Sequence, residues 1–223
     1  MGNLHIGIIL DGNRRFAKKL MRQPWKGHEE GAKRVEELLD WCKELQIKEL
    51  TLYCFSLENF KRTKEEVDFL MKLFRKEFER LEKDERIKEN EVKIKFIGQK
   101  ELLDKNLQEL MKRIEDKTKD YNNYILNFVI AYGGRQEILS AIKKLVDSQK
   151  EINEKNFKEC LLLKDEPDLI IRTGGEKRTS NFLPWQSIYS EWIFLDKMWP
   201  EITKKDLQEA ITEFNGRQRR FGK

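Results

Sequence analysis

Four runs of polar and cationic residues, each directly behind an apolar run, are where this sequence could do chemistry. The first, Asp11-Gly12-Asn13-Arg14-Arg15, follows His5-Ile6-Gly7-Ile8-Ile9-Leu10. A carboxylate beside two guanidiniums suits a metal-bridged phosphate, because the acid can hold Mg²⁺ and arginine can grip phosphate oxygens in pairs. The second is Ser56-Leu57-Glu58-Asn59-Phe60-Lys61-Arg62. Thr63 and Glu66 behind it have the spacing of a helix capping box, whereas Ser56, Asn59 and Arg62 have no such structural task. The third is Tyr132-Gly133-Gly134-Arg135, and the fourth runs from Arg172-Thr173-Gly174-Gly175 through Arg178, Ser180 and Asn181. Paired glycines permit tight turns and close backbone approach, so the fourth run reads as a diphosphate cradle. Taken alone, the first run reads rather as a solvated turn after an edge strand. Four such runs behind strands of one sheet favour a ligand site.

Two further features carry chemistry. Glu191 lies in the aromatic-rich stretch 185–194, where an unpaired carboxylate would be costly. A basic residue or a divalent cation would serve as its partner. The chain closes on Arg217-Gln218-Arg219-Arg220-Phe221-Gly222-Lys223, which by itself reads as a solvated basic tail. Neither GxxxxGK[ST] nor GxGxxG occurs, so the phosphate sites are not of a standard nucleotide type.

The elements that must position these groups alternate. Expected strands are 5–10, 49–55, 92–97, 124–131, 168–172 and 192–195, several of them near-continuous apolar runs typical of strands buried on both faces. Helical periodicity points to helices near 28–45, 64–87, 101–120, 134–149, 153–161 and 203–216. The expected fold is a single α/β domain over 1–223, with a mostly parallel six-stranded sheet flanked by helices. The helix over 64–87 has an unusually wide apolar face, with Phe69 and Leu73 added to Val67, Leu70, Met71, Phe74, Phe78 and Leu81. Such a face either packs between sheet and a partner or lines an apolar cavity.

Composition narrows the function classes. The 223 residues carry 45 basic and 40 acidic side chains, mixed along helices rather than gathered in the basic stripe of a nucleic-acid binder. Three scattered cysteines and two histidines give neither a disulfide framework nor a zinc site. No apolar run approaches the roughly 18 residues of a membrane span, and no leader is evident. A cytoplasmic protein with at most peripheral membrane contact is expected.

Taken together, these motifs resemble the cis-prenyltransferases of the undecaprenyl diphosphate synthase type. The resemblance rests on Asp-Gly-Asn-Arg-Arg-Phe-Ala at 11–17, Gly-His at 27–28, Phe-Ser-x-Glu-Asn-Phe-x-Arg at 55–62 and Tyr-Gly-Gly-Arg at 132–135. It continues through Arg-Thr-Gly-Gly-Glu-x-Arg-x-Ser-Asn-Phe at 172–182, Trp-Gln at 185–186, Glu191 and the final Arg-Arg-Phe-Gly. The aspartate-rich boxes of trans-prenyltransferases are absent. The resemblance implies repeated addition of isopentenyl diphosphate to an allylic diphosphate, farnesyl or geranylgeranyl, to give a cis-polyprenyl diphosphate. It implies Asp11 as a Mg²⁺ ligand, with Gly12 to Arg15 and Arg62 on the allylic diphosphate. Arg172, Arg178 and Ser180 would take isopentenyl diphosphate, and Glu191 would help place its metal. Asn13, His28, Ser56 and Asn59 match positions implicated in catalysis or proton removal. Phe16, Glu58 and Phe60 match substrate-contacting motif positions. It also implies a homodimer in which the C-terminal Arg-x-Gly, here with Gly222, reaches the partner's site.

The growing chain would need a dry tunnel between sheet and helices, with the Val67–Leu81 face and Leu126, Phe128 and Ile130 as its walls. Pro24 stands where many bacterial members carry a phosphate-binding arginine, which leaves Arg22 or Lys26 as substitutes. Lys177 stands where some members have a histidine near the metal. The alternative is a non-catalytic scaffold subunit of a heteromeric prenyltransferase; such partners tend to lose the acid and arginines that this chain keeps.

Overall fold

A computed structural model describes residues 3–217. Six strands, β1 (His5–Ile9), β2 (Glu49–Ser56), β3 (Val92–Ile97), β4 (Tyr124–Tyr132), β5 (Leu169–Arg172) and β6 (Glu191–Phe194), form one sheet in the order β3-β4-β2-β1-β5-β6. Every neighbouring pair is parallel. The strands fall within a residue or two of the apolar runs that predict them. Parallel strands need crossovers, and burial on both faces explains why β1 is buried along its whole length.

The helices are α1 (Asn13–Lys19), α2 (Gly27–Glu44), α3 (Lys64–Glu82), α4 (Glu85–Glu89), α5 (Lys105–Thr118), α6 (Gly134–Asp147), α7 (Glu154–Cys160) and α8 (Lys204–Gly216). Two differ from expectation. The 13–19 segment, read as a loop, is helical because Gly12 takes a left-handed conformation (φ 109°) that turns the chain straight out of β1. A side chain at Gly12 would also collide with the backbone and Cβ of Met198, at 2.8 and 2.7 Å. The expected single helix over 64–87 breaks at Lys83 and Asp84, where the Asp84 carboxylate accepts from the Arg86 N–H and starts α4.

The sheet order places a topological switch beside β1. The chain leaves β1 toward β2 on one side, and returns to its other side only with β5. Ligands of open parallel sheets bind outside the carboxyl ends at such a point.

One buried carboxylate organises the rear of this end of the sheet. Glu137 on α6 accepts from Tyr132 Oη at 2.5 Å, Gln186 Nε2 at 3.0 Å and the backbone N–H groups of Leu162 and Leu163 at 2.8 and 3.2 Å. It thereby ties the Tyr-Gly-Gly turn to Gln186, and the neighbouring Trp185 packs on Phe157 of α7. Glu137→Ala would leave these donors unpaired and is expected to lower stability by roughly 3 kcal/mol. Urea denaturation beside the parent protein measures the loss.

Candidate active site

β1 and β5 end side by side, with Ile9 opposite Arg172. Just past that level the Asp11 carboxylate accepts from Arg172 Nη2 at 2.8 Å, and Arg15 approaches its other oxygen at 3.3 Å. The Arg172 side chain is only 4 % exposed, so this pair is largely desolvated. Thr173 Oγ1 and the Trp199 N–H both donate to the Asp11 carbonyl, at 2.7 and 2.9 Å, and fix the turn that carries the carboxylate. Arg172 Nη1 donates to Ser180 Oγ and to the Arg178 carbonyl, folding the 178–180 loop back over the strand end. Its Nε is buried without a partner. Glu176 bridges the two sides, lying 3.8 Å from Arg15 and 2.5 Å from Arg178. Gly174 adopts φ 85° there, and a Cβ would come within 2.5 Å of Arg15 Nη2.

Glu66 organises a second cationic group. Thr63 caps α3 as its spacing predicts, accepting from the Glu66 N–H. The Glu66 side chain does not close the box. It is buried, takes Arg62 Nη1 at 3.1 Å and lies 3.5 Å from Arg14 Nε. Two guanidiniums are thus held on one carboxylate, which leaves net positive charge beside Asp11. Ser56 and Asn59 cap the short turn over Leu57–Lys61, with the Ser56 N–H donating to Asn59 Oδ1 at 3.1 Å. The structural task that the sequence did not show for them is therefore present.

Asn13 is buried and its amide donates to the Leu10 carbonyl at 2.9 Å, while its Oδ1 has no partner. His28 Nε2 is likewise buried and unpartnered. Burial, then the Arg62 and Arg14 cations, push the His28 pKa down to about 3. The ring is neutral at physiological pH.

These groups open into one cavity of about 940 Å³, lined by Asp11, Asn13, His28, Ser56, Glu58, Asn59, Arg62, Arg172, Arg178 and Ser180 at its polar end. That volume lies at the top of the roughly 300–1,000 Å³ typical of small-molecule sites, and exceeds what diphosphate groups alone require. Its body is apolar and runs between α2 and α3, with Val35 and Leu39 on one side and Leu70, Leu73, Phe74, Phe78 and Leu81 on the other. Of the walls expected from sequence, much of the α3 face and Phe128 line it. Val67, Leu126 and Ile130 belong to the packed core instead, and Phe69 lies under the Lys26 ammonium at 4.9 Å. The α2 wall was not anticipated, because Val35 and Leu39 have the spacing of any core stripe.

Not every candidate joins the site. Arg14 and Arg15 are exposed at its edge, Phe60 packs edge-on against Phe55, and Phe16 is half-buried on α1. Gly12 serves the turn. Arg22 is paired with Glu30 and Lys26 with Glu29, and neither lines the cavity. Lys177 is exposed. Glu191 opens β6 opposite Leu169, three residues (about 10 Å along a strand) from the level of Arg172, and is ion-paired with Arg217 at 2.6 Å. A basic partner for Glu191 is thus present, and Glu191 does not join Asp11 within this chain. Gly222 and the Arg219-Arg220-Phe221 preceding it lie outside the described residues.

The family model for prenyltransferases of the undecaprenyl diphosphate synthase type matches residues 9–222. The chain belongs to the undecaprenyl diphosphate synthase family. It is 49 % identical over 228 residues to the geranylgeranyl-diphosphate-specific tritrans,polycis-undecaprenyl-diphosphate synthase of Pyrococcus furiosus, covering 98 % of this chain and 86 % of that protein. The synthase of the same name from Methanocaldococcus jannaschii is 46 % identical, with 98 % and 82 % covered. Among solved structures, lavandulyl diphosphate synthase from Lavandula x intermedia with dimethylallyl diphosphate superposes with a TM-score of 0.93 at 32 % identity, covering 98 % of both chains. A probable undecaprenyl diphosphate synthase from Campylobacter jejuni gives 0.86 at 35 % over the full length of both. This family member keeps the acid and every arginine of the motifs, which the scaffold alternative does not require.

Both histidines of this synthase-family chain bear on its pH dependence. Burial pushes the His5 pKa down to about 4, against an ordinary value of 6.5. Between these folded values and 6.5 the unfolded chain binds more protons than the folded one. Stability is therefore complete above about pH 6.5 and falls as pH drops toward 4, by up to about 1.4 kcal/mol per pH unit for each ring. Urea midpoints at pH 7, 6 and 5 should decline, and His5→Gln with His28→Gln should flatten the decline.

Proposed function

We propose that this protein is a Mg²⁺-dependent cis-prenyltransferase that adds isopentenyl diphosphate repeatedly to an allylic diphosphate and releases diphosphate at each step. The observation that carries the reading is the joining of two arginine groups across Asp11 to one long apolar cavity. Geranylgeranyl diphosphate is the proposed primer, in line with the names of the archaeal relatives.

In this reading Arg15, Arg14 and Arg62 hold the allylic diphosphate, and Arg172, Arg178 and Ser180 hold that of isopentenyl diphosphate. Both groups are positioned before substrate arrives, so they stabilise the charge that develops on the leaving diphosphate without reorganising. The donor set fits Mg²⁺: a single carboxylate among phosphate-binding arginines matches a cation that takes one or two carboxylates and substrate phosphates. Asp11 would hold the ion, which supplies further charge neutralisation at the departing oxygens. Asn13 Oδ1 and His28 Nε2, the unpaired polar atoms at the head of the cavity, orient the reacting groups. Burial and the neighbouring arginines keep the His28 ring neutral before substrate binds, and in this reading the departing diphosphate takes the proton. The apolar cavity is the proposed tunnel, and it excludes water from the cation.

A homodimer belongs to the same reading. Leu139, Ile142 and Val146 form an exposed stripe on α6, and Ile188 and Tyr189 are exposed before β6. A second copy is the proposed cover, and Glu191 would assist a metal only from such a copy. Leu139→Glu with Ile142→Glu is expected to give monomers in sedimentation experiments; a dimer of parental affinity would refute this surface.

Folded protein incubated with geranylgeranyl diphosphate, labelled isopentenyl diphosphate and Mg²⁺ in detergent should yield extended products. No product with any allylic primer would refute the reading. Asp11→Ala should lower turnover by about 10²–10³-fold or more, and near-normal turnover in the folded variant would remove Asp11 from catalysis.

A further inference from the structure

The third polar run of the sequence has no place in the cavity. No residue from Tyr132 to Arg135 lines it, so the paired glycines there need another task. What approaches them is Asn181, the last residue of the fourth run. A Cβ at Gly133 would lie 2.9 Å from Asn181 Nδ2, and one at Gly134 would lie 3.0 Å from the Asn181 carbonyl oxygen. α6 opens at Gly134 without a side-chain cap from Gly133, and the first N–H groups of a helix have no partner within it. Asn181 satisfies two of them from another part of the chain. Its carbonyl accepts from the Gly134 N–H and its Oδ1 from the Arg135 N–H, both at 2.9 Å. Its Nδ2 donates to Glu58 Oε1 in the turn behind β2 at 3.2 Å, and to Gln136 Oε1 at 3.3 Å. One residue thus ties together the loops behind β2, β4 and β5.

We propose that Asn181 is a positioning residue that holds Arg178 and Ser180 in place for the diphosphate of isopentenyl diphosphate, an inference that rests on the synthase reading above. Ser180 and Asn181 both take left-handed conformations, at φ 51° and 62°. Asparagine adopts this region more readily than serine does, so the bend is held by its neighbours. Arg172 Nη1 grips it from the strand side through Ser180 Oγ. The α6 N-terminus grips it from the other side, where the helix dipole favours the two Asn181 oxygens. The arm is pinned at its start as well, by the Gly175 N–H on the Leu195 carbonyl at 2.9 Å. The polar atoms of the Asn181 side chain are all engaged by protein partners, so it acts through the arm and not on the substrate. Arg15, Arg14 and Arg62 depend on Asp11 and Glu66 instead. Loss of Asn181 therefore separates the two substrates.

The test is steady-state kinetics with Mg²⁺, varying labelled isopentenyl diphosphate and geranylgeranyl diphosphate in turn. Asn181→Gly retains access to the left-handed backbone and removes the side chain. It should raise KM for isopentenyl diphosphate by about tenfold, as expected for one or two lost hydrogen bonds. KM for geranylgeranyl diphosphate should stay at the parental value, and saturating isopentenyl diphosphate should restore most of the turnover. Asn181→Asp keeps the acceptor for the Arg135 N–H but sets a carboxylate against Glu58. It should also raise KM for isopentenyl diphosphate, and adding Glu58→Gln should lower it again, because the new amide donates to the aspartate. A folded Asn181→Gly protein with parental KM for isopentenyl diphosphate, or with both KM values raised alike, overturns the proposal. Should Asn181→Gly not fold, failure of Glu58→Gln to rescue Asn181→Asp overturns it equally. An inactive parent protein would instead refute the synthase reading, so the two failures are distinguishable.

Discussion

The ion pair between Asp11 and Arg172 is the contact on which the rest of the site depends. It joins the ends of β1 and β5, which are separated by most of the chain but adjacent at the switch point of the sheet. The Arg172 guanidinium is nearly buried, so removing Asp11 would strand a desolvated charge, at roughly 3–5 kcal/mol. The same guanidinium folds the Arg178–Ser180 loop, and the same carboxylate meets Arg15. One contact thereby sets the spacing of two arginine groups.

Around this contact the charges are arranged in excess of their partners. Glu66 neutralises only part of Arg14 and Arg62, and Glu176 only part of Arg15 and Arg178. The site is held together by acids yet remains positive, as the proposed binding of two diphosphates requires. Directly behind it the cavity lining becomes apolar, and at the far end Glu36, Arg80 and Arg86 make it polar again.

Much of this was legible in the residues. Near-continuous apolar runs located the inner strands, which are buried on both faces, while alternating or shorter runs located the edge strands β3 and β6. Polar runs behind them located the site, because loops at strand ends are where a parallel sheet exposes its chemistry. Arg172, Asp11 and Arg62 were identifiable from type and position alone. Ser56 and Asn59 show the limit, since residues that cap a turn and residues that face a ligand are the same types in the same places. Glu66 shows it again: its spacing announced a capping box, while its side chain turned to two arginines, one of them from another element.

Sequence by itself determined the strands, most helices, the family and the two arginine groups of the candidate site, because local periodicity and motif spacing encode them directly. Only the tertiary structure decided that Glu191 stands about 10 Å along the sheet from the site, since depth along a strand depends on register between strands. It also decided that α2 forms the second wall of the cavity, that α3 breaks at Lys83–Asp84 and that the ion-paired Glu36, Arg80 and Arg86 line the far end. Those features arise from side chains of separate helices meeting in space, and no spacing within one helix specifies them.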